Sequence, residues 1–206
     1  MTMIDARPAW IRPLAVLLAA AALSACSGVL TSDQAAKRYY ALMPLSGNPT
    51  AADADAPALA LRLTAVPGLD SDRIQALGAD ASLQRYANAR WPDHLPEVLG
   101  SVLRRSLEES GRFSAVTTGA RAPTDAWSLE LEIQQFYGVQ SASGVTRSVI
   151  VELAGELACG GSSHRIRLEH DSPVAEERLA AVVSAHQEGL DAVTRDLLST
   201  IESACL

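Results

Sequence analysis

The stretch that most limits how this chain can fold runs from Val149 to Glu169. Val149, Val151, Leu153, Leu157 and Cys159 share one face of an alternating segment, Gly160-Gly161 follows, and His164–Glu169 returns. Alternation with period two is the signature of a half-buried strand. A two-residue glycine turn between two such runs makes a β-hairpin. A hairpin with one apolar face is not stable by itself, so the rest of the chain must supply a cover.

The remaining periodicities supply more strands and two helices. Arg38–Met43, Ala58–Val66, a short piece around Leu83–Tyr86, Phe113–Thr117 and Trp127–Tyr137 read as strands. Leu95, Val98, Leu99, Val102, Leu103 and Leu107 recur at three- and four-residue steps, which predicts a helix from His94 to Glu109 or Ser110. Asp93 is the expected N-cap, Pro96 falls in the tolerant first turn, and Gly111 is the expected C′ residue. A second helix is expected over Glu176–Ser203, with Leu179, Val183, His186, Leu190, Val193, Leu197 and Ile201 as its stripe. The expected fold is α+β: a mostly antiparallel sheet with two amphipathic helices packed on one face.

The N-terminus reads as a targeting segment. Arg7 and Arg12 precede an unbroken apolar run, Pro13–Leu23, followed by Ser24, Ala25 and Cys26. The run has the length of a signal-peptide core and is shorter than the roughly 20 residues needed to span a bilayer. Small residues before a cysteine resemble a bacterial lipobox. Residues 1–25 are therefore expected to be a lipoprotein signal peptide, and 26–37 the lipidated Cys26 with its tether. Residues 38–206 are expected to form the folded domain. Acyl chains such as palmitate on Cys26 hold a protein at a membrane without a transmembrane helix. Ser27, rather than Asp, follows the cysteine, which by analogy with bacterial lipoproteins points to the periplasmic face of the outer membrane rather than the inner membrane.

Charge and motif content narrow the function classes. The net charge is -7, the wrong sign for nucleic-acid binding. The single lysine, Lys37, has no Gly-rich loop before it, so no phosphate-binding loop exists and any ATP hydrolysis belongs to another subunit. There is no G-x-S-x-G elbow. Ser162-Ser163-His164 reads as a solvated hairpin tip, and Glu169-His170-Asp171 alternates faces on a strand rather than converging on a metal. His186 on the helical stripe has two readings: a core-edge histidine with one backbone partner, or a pH-sensitive contact. The chain is read as a non-enzyme with no cofactor and no metal.

Two cysteines remain once Cys26 is lipidated. Cys159 ends a strand on the apolar face, and Cys205 lies four residues beyond Ile201 on the last helix's stripe. In an oxidising periplasm they are expected to form a disulfide, the alternative being two buried free thiols. Trp91 stands outside the core periodicity. It either covers the end of the core beside Pro92 or anchors a partner, as tryptophans at interface hot spots do. Arg104 and Arg105 on the outer helix face are either a solvated surface or the polar rim of a partner contact, including self-association.

The order of several short motifs resembles the ABC-type transport auxiliary lipoprotein family, of which PqiC-like proteins are members. The residues that carry the likeness begin with Arg38-Tyr39-Tyr40-Ala41-Leu42 soon after the lipobox and Val66-Pro67-Gly68-Leu69-Asp70 after a strand. Arg73-Ile74 and Tyr86 follow. Arg90-Trp91-Pro92-Asp93 leads into Leu95-Pro96 and a Leu-rich helix, and Ser110-Gly111-Arg112-Phe113 succeeds it, ahead of the C-terminal amphipathic helix. The resemblance implies an outer-membrane-anchored periplasmic accessory protein of an ABC system. Its implied partners are a mammalian-cell-entry (MCE) domain protein and the permease and ATPase, and its implied role is intermembrane lipid transport. The alternative is a stand-alone lipoprotein that itself holds a lipid or other apolar ligand.

Overall fold

A computed structural model describes residues 36–205, apart from 46, 48, 49, 54 and 120–124. The expected signal peptide, the lipidated Cys26 and most of the tether lie outside the described residues. Eight strands and two helices follow one another: β1 (Arg38–Tyr39), β2 (Ala58–Ala65), β3 (Arg73–Leu77), β4 (Leu83–Arg90), α1 (Leu95–Glu109), β5 (Ala115–Thr118), β6 (Trp127–Gln140), β7 (Thr146–Cys159), β8 (Ser162–Pro173) and α2 (Leu179–Cys205). No helix among the described residues is long and apolar enough to cross a membrane.

All eight strands belong to one sheet built around β6. Along one edge β6 pairs antiparallel with β7 over nearly its full length, and β7 continues into β8 through the glycine turn. Along its other edge, the first half of β6 pairs parallel with β2, which in turn pairs parallel with β5. The second half pairs parallel with β3, followed by antiparallel β4 and parallel β1.

The expectation of a mostly antiparallel sheet is therefore corrected. Four pairings, β1–β4, β2–β5, β2–β6 and β3–β6, are parallel. The antiparallel ladders are β3–β4, β6–β7 and β7–β8. The physical reason is that alternation reports the pleat of a strand and is blind to its direction. Strand direction follows from the connections: the path from β2 to β5 and β6 passes through α1, and such a crossover returns the chain parallel to where it began.

The core is a single cluster between the sheet and the helices. Leu59 and Leu61 of β2, Leu129, Leu131 and Ile133 of β6, and Val149, Val151, Leu153 and Leu157 of β7 are buried together with the stripes of α1 and α2. The register of β6 shifts between Ile133 and Gln135, and this irregularity returns Phe136 to the buried set. Several boundaries differ from the sequence reading. Only Arg38–Tyr39 pairs as β1, and β3 had no periodic signal because five residues are too few to show one. The N-cap of α1 is His94, without a side-chain cap; Asp93 instead accepts the His94 backbone N–H at 2.7 Å. Gly111 ends α1 with φ 70°, as its C′ position requires. The β7–β8 turn has Gly160 and Gly161 at φ 56° and 80°, both left-handed as a type I′ turn demands.

Candidate docking surfaces

A broad concavity lies on the face of the sheet opposite the helices. It encloses about 840 Å³ and is lined by Arg62 of β2, Glu130 and Glu132 of β6, Glu156 of β7, and Arg165 and Arg167 of β8. These side chains point outward because they alternate with the buried leucines and isoleucines of the same strands. Gly155 also lines it. A Cβ there would lie 1.9 Å from the Glu130 carbonyl oxygen, so the backbones of β6 and β7 approach in a way only glycine permits.

The groove's charges are partly matched. Arg167 reaches Glu152 at 2.8 Å, and the Glu152 side chain is only 3% exposed while that of Arg167 is 70% exposed. Glu152 also accepts from the Gln135 amide, and Ser163 donates to Glu156. A surface of alternating guanidinium and carboxylate groups suits ion pairing and hydrogen bonding with a polar partner.

The residues singled out from sequence fall in different places. Trp91 is 1% exposed, with its ring centroid 5.8 Å from that of Phe136 and 5.4 Å from that of His186. Its reading as a docking anchor is corrected: the ring fills the core and offers no surface to a partner. The reason is that Phe136 of β6 and His186 of α2 pack against the ring, while the Trp91 backbone N–H donates to the Asp72 carbonyl. His186 is fully buried, and its Nδ1–H donates to the Val182 carbonyl at 2.8 Å. Burial depresses its pKa to about 4. It has the single backbone partner of the core reading.

Arg104 and Arg105 lie on α1, paired one turn on with Glu108 at 2.7 Å and Glu109 at 3.9 Å. Exposed pairs of this kind contribute little to stability. At the start of α1, the His94 Nδ1 meets Asp70 at 2.8 Å, and this hydrogen bond raises the histidine's pKa. Cys159 and Cys205 are joined in a disulfide, their Cα atoms 5.9 Å apart. His164 lies beside it, its ligand atom and the two sulfurs all within 4.8 Å of one another. With both sulfurs in the S–S bond, neither is a thiolate available to a metal.

The groove residues Arg62, Glu130, Arg165 and Arg167 carried a signal the sequence reading passed over. Charges recur at i and i+2 on β6 and β8, on the faces opposite the core positions.

A sequence model described as the ABC-type transport auxiliary lipoprotein component matches residues 40–197. No curated protein matches the chain. Two solved structures share the fold. One is the crystal structure of an uncharacterized protein, with TM-score 0.64 and 14% identity, covering 81% of this chain and 99% of that one. The other is a protein from Xanthomonas campestris, with TM-score 0.62 and 22% identity, covering 78% of this chain and 92% of that one.

Proposed function

Because the chain belongs to the ABC-type transport auxiliary lipoprotein family, we propose that it is the outer-membrane-anchored periplasmic partner of an ABC system that moves lipid between membranes. In this reading Cys26 carries the acyl chains, and the folded domain contacts an MCE-domain protein or the permease while another subunit hydrolyses ATP. The family match over residues 40–197 is the observation that carries it. The arginines and glutamates around the outer groove favour docking of a polar protein surface over storage of an apolar ligand.

The reading is tested by epistasis. Strains lacking this gene, lacking the permease gene, or lacking both are compared for envelope barrier loss, measured as detergent sensitivity. The single deletions are expected to be equally impaired and the double deletion no worse. Additive impairment places the two proteins in separate processes and contradicts the proposal.

A further inference from the structure

The hairpin ends in an open edge. β8 runs for 12 residues and, among the described residues, pairs only with β7. The Val174 N–H donates to the Arg147 carbonyl at 2.8 Å, in line with the β7–β8 register. Antiparallel hydrogen bonding alternates along a strand. Ser162, His164, Ile166, Leu168, His170 and Ser172 therefore direct their backbone groups to β7. Ser163, Arg165, Arg167, Glu169, Asp171 and Pro173 direct theirs outward, and among the described residues no backbone hydrogen bond meets them. Pro173, which has no N–H to offer, occupies an outward position, where a sheet tolerates it.

An open edge of this length is a template for another strand. The side chains of the outward set say which one. Around Leu168 the charges read basic, basic, then acidic, acidic: Arg165, Arg167, Glu169, Asp171, all exposed. If a second copy of β8 pairs antiparallel about a twofold axis through Leu168, Arg167 of each copy faces Glu169 of the other, and Arg165 faces Asp171. Moving the axis one residue toward the N-terminus sets Arg167 against Arg167. Moving it one residue the other way sets Glu169 against Glu169. Like charges directly opposite destabilise a pair and opposite charges stabilise it. The charge order thus selects one register for a twofold pairing. A symmetric closed dimer needs this self-complementarity.

We infer that the β8 edge is a self-association surface, on which a second copy of this chain adds its own β8 antiparallel in the register that pairs Arg165 with Asp171 and Arg167 with Glu169. The inference goes beyond membership of a transport system and is independent of it. The two outer grooves would then adjoin across the twofold axis, since Arg165 and Arg167 line both the groove and the edge.

The experiment co-expresses two differently tagged copies of the full chain and measures how much of one is recovered with the other. Arg165 and Asp171 are changed because neither is the partner of buried Glu152. Wild-type copies should co-purify. Two Arg165→Glu copies, or two Asp171→Arg copies, should recover about tenfold less, because each places like charges opposite one another. An Arg165→Glu copy with an Asp171→Arg copy restores both attractions and should recover to within about twofold of wild type. Arg165→Pro removes an outward N–H together with the guanidinium and leaves the hydrogen bonds to β7 in place, so it should abolish recovery while leaving the melting temperature of the purified chain near that of wild type. Equal recovery in all combinations, absence of wild-type recovery, or failure of the mixed pair to recover would each overturn the inference. Melting curves of the charge variants separate loss of association from loss of folding.

Discussion

The rings of Trp91 and His186 meet edge to face inside the core, centroids 5.4 Å apart and planes inclined at 72°. An imidazole in such a place folds neutral. Its pKa of about 4 lies below the ordinary 6.5. The unfolded chain therefore binds more protons between those values, and stability rises with pH through that window. The shift corresponds to roughly 3 kcal/mol lost on acidification from about pH 7 to below 4. His94 is shifted upward, so its contribution has the opposite sign: present below its unfolded pKa and lost as pH rises through its folded one. Its exposure to solvent keeps that contribution small. His186→Phe should flatten the pH dependence of urea unfolding between pH 4 and 7. An unchanged slope would remove His186 as its source.

The disulfide closes a sequence separation of 46 residues and fastens the end of α2 to the end of β7. Cys205→Ser should lower unfolding free energy, by at most about 4 kcal/mol in the chain-entropy account. Alkylation of denatured, unreduced protein from the periplasm should label neither cysteine; labelling of both would show that the bond does not form in the cell.

Two glycine replacements should act in opposite directions. Gly155→Ala sets a Cβ against the Glu130 backbone and should cost upward of about 2 kcal/mol or prevent folding. Gly100 lies in α1 with nothing within 4 Å of a built Cβ. Gly100→Ala should therefore stabilise by up to about 1 kcal/mol through helix propensity. Equal effects of the two in denaturant titration would contradict the close approach of β6 and β7.

Much of this architecture is written in local periodicity. The α1 stripe, the glycine hairpin and the α2 stripe each repeat over enough residues to declare their type, and Cys159 and Cys205 fall on faces that meet. What escaped detection lacked repetition or depended on distant partners. Arg73–Leu77 is too brief to show a period. Trp91 stands alone between a strand and a helix, so its burial depends on Phe136 of β6 and His186 of α2, which are distant in sequence. Strand direction in the β2–β5–β6 region is decided by crossovers that alternation does not record. The outer groove was legible as charges at i and i+2, yet the close approach of Gly155 to the Glu130 backbone is revealed only by the folded pairing.

In the proposed reading, lipid attachment is at Cys26. Cys26→Ala should abolish palmitate labelling and release the protein from the membrane fraction. Persistent labelling in this variant would mean that another residue, or another mode of attachment, is used.

Affinity purification of the full-length lipidated chain from detergent-solubilised envelopes, read by quantitative mass spectrometry, tests the transport assignment most directly. The account predicts stoichiometric enrichment of an ABC permease or an MCE-domain protein over a Cys26→Ala control. Recovery of the chain with bound lipid and with neither protein enriched would contradict it.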